Sequence, residues 1–301
     1  MAISLALLTA PSRGQAPADL GCGLEPGPER AVAAVVDGET VRLDDGKEVR
    51  LAGALSPRAR DVGARGGAWP PEAATLAALV GLIEGRTVAL AFAGRREDRH
   101  GRVLAQLFIW QQGAAVWVQG WLVQNGLARA YGMPGNDACM TPLLEREGQA
   151  RAASLGLWAH AAYQVRPADR PAELAHYQGT YQLVSGRIER SAGSATLVRL
   201  DLASPTKPRL SLQEVERRRN VRIIWRRNVL ALGDRAAELK GRDVLVRGWI
   251  DVRGGAPEIE ILAAGQLEAG LPAGRHRRRK PGGAGNEARR PADPPGATPE
   301  R

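Results

Sequence analysis

Residues 36–51 read Val36-Asp37-Gly38-Glu39-Thr40-Val41-Arg42-Leu43-Asp44-Asp45-Gly46-Lys47-Glu48-Val49-Arg50-Leu51, two short alternating apolar runs divided by tight-turn residues. Just upstream, Arg30-Ala31-Val32-Ala33-Ala34-Val35-Val36 alternates in the same way and enters the turn at Asp37-Gly38. Asp-Gly between runs of period two is a strong short-range hairpin signal, because both residues tolerate the positive φ that such turns demand. The segment therefore predicts three consecutive antiparallel strands.

Downstream, Pro70-Pro71-Glu72 opens a helix, with proline early and an acid in the first turn. Leu76, Leu79, Val80 and Ile83 recur at helical spacing, and Gly85 stops the run. Thr87–Phe92 and Val103–Ile109 read as strands flanking the polar turn Arg95–Arg102. A helix is expected from Val116 to Gln124, ending at Asn125-Gly126, and another from Thr141-Pro142, closing with Leu155-Gly156-Leu157-Trp158. Three strands, a helix, two strands and two helices make a mainly β, α+β unit, a five-stranded OB-type barrel with packed helices. After the Pro- and Ala-rich stretch Arg166–Glu173 the pattern returns: strands at Thr180–Arg190, Ala195–Leu202 and Val221–Trp225, a short helix at Asp234–Lys240, then strands at Asp243–Ile250 and Glu258–Ile261. That order predicts a second, smaller OB-like barrel, with a plain β-sandwich as the alternative. The expected division is a signal peptide over 1–18, the first barrel over 19–162, a linker over 163–176, the second barrel over 177–270 and a basic tail over 271–301.

The 301 residues carry a formal charge of +10, which favours polyanionic partners such as nucleic acid, anionic polymers or a lipid surface. Much of it lies in the tail from Leu271 to Arg301, where eight Arg/Lys face three Asp/Glu. With almost no large apolar residue, this tail is expected to be disordered, as a polyanion tether or merely a solubilising extension. The run Arg217-Arg218-Arg219, with Arg222, Arg226, Arg227 and Trp225, reads either as a phosphate-tracking and base-stacking strip or as a solvated basic face.

The N-terminal apolar run Met1–Ala10, followed by Ala16-Pro17-Ala18, has the length of a signal-peptide core and a small-residue cleavage pattern, without the basic n-region. No other segment has the apolar length to span a bilayer as a helix. An exported, periplasmic or secreted protein is the expectation. Cys22 and Cys139 fall just before the first strand and just before the last helix of the first barrel. In an oxidising compartment they would form a disulfide if they meet; two separate buried thiols is the alternative. Four His and two Cys occur in no ligand-like spacing, which argues against a zinc site.

The first barrel resembles the staphylococcal nuclease (thermonuclease) family. The residues that carry the resemblance are Val36–Val41, Val49-Arg50-Leu51-Ala52-Gly53, Ser56-Pro57, Asp98-Arg99-His100-Gly101-Arg102-Val103-Leu104-Ala105, Leu122–Ala128 and Gly156-Leu157-Trp158. It implies a phosphodiesterase in which calcium polarises the phosphate, a glutamate activates water and two arginines stabilise the developing charge. The arginines fall on Arg50 and Arg102, and the first calcium ligand falls on Glu39 in place of the usual aspartate. Arg99, His100 and Tyr131 fall near where the family holds its nucleotide. The family's second carboxylate ligand and its base fall on Leu55 and Arg58. Leu55 cannot coordinate calcium, and Arg58 cannot accept a proton at neutral pH.

The resemblance therefore implies a nucleic-acid or polyanion binder of impaired hydrolysis, with calcium as its cofactor only if Glu39 and other carboxylates rebuild the site. Asp61, Glu97 and Asp98 are the candidate substitutes. The competing readings are an active metal-dependent nuclease and a non-catalytic envelope protein that binds other proteins. Each site residue also has a plainer role open to it: Arg50 paired with Glu48 or Glu39 on a strand, Arg102 bracing a turn with Glu97 or Asp98, and Trp158 plugging a core.

Overall fold

The computed structural model describes residues 20–62, 69–193, 197–203, 221–226, 238–263 and 265–270. The N-terminal apolar run, Arg217–Arg219, Arg227, most of the expected helix Asp234–Lys240 and the basic tail lie outside the described residues.

The hairpin segment forms as its pattern requires. β1 (Glu25–Asp37) pairs antiparallel with β2 (Thr40–Leu43), and β2 pairs with β3 (Glu48–Leu51), with Val35 opposite Val41 and Val41 opposite Val49. β4 (Ala54–Leu55) and α1 (Pro70–Ile83) lead into β5 (Thr87–Phe92) and β6 (Val103–Gln111). β1 is long enough to serve two neighbours, Glu25–Ala31 against β5 and Val32–Asp37 against β2, with register shifts that let it bend. β3 runs parallel to β6, Val49 opposite Val103 and Leu51 opposite Ala105, and this pairing closes the five-stranded OB-type barrel. Val32, Val41, Val49, Leu51, Val88, Leu90 and Leu107 fill the core.

β7 (Ala114–Trp117), α2 (Val118–Gln124), β8 (Arg129–Ala130) and α3 (Met140–Ala152) complete the unit. The expected helix from Val116 thus starts two residues later, because Val116 and Trp117 pair with β6 as strand. α1 keeps Leu79 and Ile83 of its expected face and departs from it at Leu76. It buries Pro71, Thr75, Leu79, Leu82 and Ile83, while Leu76 stays exposed. The Thr75 hydroxyl lies 3.0 Å from the Pro71 carbonyl and 2.7 Å from the Leu127 carbonyl, which favours the inward position of a polar residue over Leu76. Gly126 and Gly156 explain two of the sequence motifs together. Both have positive φ, a Cβ on Gly126 would strike the Leu155 carbonyl and one on Gly156 the Gly126 carbonyl, and Leu157 N donates to the Gly126 carbonyl at 2.8 Å.

In the second half, β9 (Arg166–Pro167) and α4 (Pro171–Ala175) precede β10 (Tyr181–Gly193), β11 (Leu197–Ala203), β12 (Val221–Arg226), β13 (Asp243–Arg253), β14 (Ala256–Ile261) and β15 (Leu267–Ala269). β10 pairs with both β11 and β13, and β12 runs parallel to β14, the same closure as in the first barrel. The sandwich alternative is thereby replaced by a second closed barrel. The stretch expected as linker is partly built into this unit: β9 pairs with β10, and Ala168 and Leu174 are buried in its core. Its Pro and Ala content hid the one leucine that anchors it.

Between the barrels lies a third apolar cluster, in which Leu55, Ala150, Leu157, Trp158 and Tyr163 meet Tyr181, Leu183 and Leu245. Alternation along β13 sends Val244, Val246 and Ile250 into the second core and turns Leu245 and Arg247 toward the first barrel. Arg247, fully buried, pairs with Glu147 of α3 and with Glu268 of β15. Arg129, also buried, donates to the Tyr181 carbonyl at 2.7 Å and pairs with Asp61 at 2.7 Å. The Trp69 indole donates to the Tyr163 hydroxyl at 2.9 Å. Cys22 and Cys139 form a disulfide, so the start of β1 is strapped to the start of α3 across 117 residues.

A disulfide closing so long a loop lowers the conformational entropy of the unfolded chain, worth about 2–4 kcal/mol in practice. Changing both cysteines to serine is expected to lower unfolding free energy by that amount, and reductant should produce the same loss in the unaltered protein but none in the double variant. Burial pushes the Tyr163 phenol from an ordinary value of 10.0 up to about 12, against the smaller opposing effects of Trp69 and Arg129. A raised phenol stabilises the fold fully below its unfolded value and loses that contribution as pH rises through the folded one. Thermal melting should therefore fall between about pH 10 and 12, and Tyr163→Phe should flatten the decline in that window.

Candidate functional site

The turn Asp37-Gly38 does more than reverse the chain. Glu39 N donates to Asp37 Oδ1 at 2.7 Å, and a Cβ on Gly38 would lie 2.8 Å from Ser56 Cβ. Only glycine lets the turn settle on Ser56, and this brings the Glu39 side chain beneath the β4 segment. Glu39 is 2% exposed. Its Oε1 accepts from Ser56 N at 2.7 Å and Ser56 Oγ at 3.0 Å, and its Oε2 faces Arg50 Nη2 at 2.7 Å and the Arg58 guanidinium.

Arg50 is buried too. Its Nη1 donates to the carbonyls of Glu39, Leu51 and Ala54 at 3.4, 3.2 and 3.2 Å. Burial lowers its pKa from the usual guanidinium value against the pull of Glu39, and the charges of Arg58 and Arg102 lower it further. The pairing with Glu39 is thus the plainer of the roles open to Arg50; Glu48 pairs instead with Arg42 at 3.5 Å.

Arg102 grips Asp98 with Nε at 2.8 Å and Nη2 at 2.7 Å, and its Nη1 reaches Thr40 Oγ1 at 3.3 Å. Asp98 Oδ1 accepts from the backbone N of His100 and of Arg102, which holds the turn. Burial pushes the Asp98 carboxyl up, but hydrogen bonds from Arg102 and His100 outweigh it and hold the group below the usual carboxylate value. Arg99 and His100 are exposed at the turn tip, where Arg99 Nε donates to His100 Nε2 at 3.0 Å, an interaction that requires an unprotonated ring nitrogen.

These groups border a cleft of about 940 Å³. Arg50, Arg58, Arg60, Arg95, Arg99 and Arg102 line it against Asp37, Glu72 and Asp98, so the rim is cationic. Tyr131 lines it as well, and Trp249 enters from the second barrel. Arg50, Arg102, Arg99, His100 and Tyr131 are therefore brought together, with Glu39 sealed beneath them. No motif in the sequence marks Arg60, Arg95 or Trp249; only the alternation along its strand places Trp249 on the face opposite the second core.

Calcium does not fit this donor set. Leu55 has no side-chain oxygen and packs into the cluster between the barrels. Both oxygens of Glu39 are already engaged, one of them by two guanidinium groups. Asp61, the nearest substitute in sequence, is 4% exposed and committed to Arg129, with Oδ2 also accepting from Arg58 N at 3.2 Å. Among the described residues no cluster of three or more His, Cys, Asp or Glu could hold a metal ion. In the second barrel Arg222 pairs with Glu258 at 3.3 Å.

Removing one partner of a buried ion pair leaves the other uncompensated and costs about 3–5 kcal/mol, whereas a partly exposed partner contributes about 1 kcal/mol or less. Glu39→Gln should therefore destabilise the protein far more than Arg58→Ala, since Arg50 still neutralises Glu39 in the second variant. Urea unfolding at neutral pH measures both, and the opposite ranking would show that the carboxylate is not held as described.

Residues 48–160 match the family model described as Staphylococcal nuclease homologue, a span that begins at β3 and ends past α3. No curated protein matches the chain. The matched span holds three of the five barrel strands, the three helices and most of the cleft; β1 and β2, which complete the barrel, precede it. The first barrel is a staphylococcal-nuclease-like domain, carried in this chain ahead of a second OB-type barrel.

Proposed function

We propose that the first barrel is a phosphodiester-binding module that holds nucleic acid or another polyanion, with the hydrolytic chemistry of its family impaired. The observation that carries this reading is the Arg58 guanidinium paired with Glu39. The family resemblance assigns the position of Arg58 to the general base, and a guanidinium cannot take a proton from water at neutral pH. It supplies a fixed positive charge instead. With Leu55 turned to packing, catalysis through Arg50, Arg102 and Glu39 lacks both a base and a second metal ligand.

Of the remaining cleft carboxylates, Asp98 is held by Arg102, while Asp37 and Glu72 each accept one backbone N–H, from Glu39 and, at 2.9 Å, from Ala59. This weighs against an active metal-dependent nuclease that recruits substitutes. Recognition survives the loss of catalysis, because five arginines that reach the surface of the cleft, Arg58, Arg60, Arg95, Arg99 and Arg102, attract phosphate oxygens whether or not a base is present. Arg99, His100 and Tyr131 would border the bound strand. The Cys22–Cys139 disulfide and the N-terminal apolar run support an exported, periplasmic or secreted protein, since disulfides persist in oxidising compartments. No helix among the described residues is long and apolar enough to cross a membrane.

The test is binding and cleavage of labelled single-stranded DNA and RNA by the full chain, with calcium and with chelator. The expected outcome is no calcium-dependent turnover, and binding that weakens steeply as salt rises. Arg102→Ala should reduce the slope of log affinity against log salt by about one, and equally for different sequences. Calcium-dependent cleavage abolished by Arg102→Ala would overturn impaired hydrolysis. Neither cleavage nor binding at low salt would overturn the polyanion reading and favour a protein partner.

A further inference from the structure

Trp249 is an anomaly of its strand. From Val244 to Ile250 it is the only exposed residue, at 37%, while Leu245 and Arg247 on the same face are buried against the first barrel. It stands where that face runs out from under the joint, and there it lines the cationic cleft. It is also held in place. Its ring meets Tyr181 edge-on, with centroids 5.7 Å apart at 70°, and Tyr181 meets Tyr131 at 5.4 Å and 78°. Tyr181 is 1% exposed and serves as the spacer between two aromatic rings that both reach the cleft.

We infer that Trp249 of the second barrel, with Tyr131 of the first, forms a base-stacking platform, so that the cleft takes single-stranded nucleic acid in preference to other polyanions. The inference rests on the polyanion-binding reading and adds the ligand class. A row of arginines alone recognises charge and would accept any polyphosphate or polysulfate. A fixed, exposed indole beside it rewards a flat, unpaired base at phosphate spacing, and every base has a π-face to offer. Paired bases are already stacked on each other, so a duplex presents no such face. The second barrel thereby contributes directly to the site, and its fixed attachment to the first keeps the ring at a set distance from the arginines.

The test compares the full chain with its Trp249→Ala variant, using Trp110→Ala as a control because Trp110 is also exposed, at 42%, but does not line the cleft. The probes are a labelled oligothymidylate, an abasic oligonucleotide of the same length and charge, and a duplex. The expected result is about tenfold tighter binding of oligothymidylate than of the abasic strand. Trp249→Ala should abolish that difference while leaving abasic affinity and its salt slope unchanged, and Trp110→Ala should preserve it. Equal binding of the two strands by the unaltered protein would overturn the platform while leaving the polyanion reading intact. A Trp249→Ala variant that loses both strands alike would assign the indole a structural role and overturn it too. Failure of every probe to bind at low salt would remove the polyanion reading, and the platform with it.

Discussion

A carboxylate sealed from water must be neutralised, and Glu39 meets that requirement in a way that shapes everything around it. Its two oxygens gather one backbone N–H, one hydroxyl and two guanidinium groups. To reach them, the chain needs a glycine in the turn before it and a serine over it. Arg50 must also come inward from a strand whose alternation would otherwise leave a polar residue at the surface. The price of an extra methylene relative to aspartate is met by the arginine two residues past Ser56, which leans over the same carboxylate. Both cations that neutralise it are side chains of the chain itself.

The short segment from Leu55 to Asp61 shows how two demands were divided among neighbouring residues. Ser56 and Arg58 face Glu39, whereas Leu55 and Asp61 face the second barrel, one through the shared apolar cluster and the other through Arg129. A carboxylate at residue 55 would sit among Leu157, Trp158 and Leu245, an apolar setting that resists charge. In the proposed reading, the packing of the second barrel and the absence of a second metal ligand meet at this one residue. The packing gives leucine a physical reason of its own to be there.

Much of this was legible in the order of residues. The Asp37-Gly38 and Asp45-Gly46 turns, the alternation around Val41 and Val49, and the recurrence of the same element order after Tyr181 predict both barrels, because local turn chemistry and period two are properties of contiguous sequence. The unlike residues at 55 and 58 were visible against the family pattern as well. What sequence could not carry were the contacts between distant residues. Nothing near Asp61 announces Arg129, nothing near Glu147 announces Arg247, and the inward place of Thr75 on α1 involves a carbonyl at Leu127, more than fifty residues away. Trp249 was hidden for the same reason. Alternation gives the side of a strand on which a residue lies, but not where the covering domain ends.

Arg247 has a consequence for how the two barrels were ever able to meet. A purely greasy joint tolerates sliding, since one aliphatic contact replaces another at little cost. A guanidinium on one face and the Glu147 carboxylate on the other act instead as a key and its ward. Moving β13 two residues along α3 would set Leu245 or Trp249 against Glu147 and strand a charge in an apolar seam, at a cost of several kcal/mol. Only one alignment turns the lock, and the geometry of the cleft mouth is inherited from it.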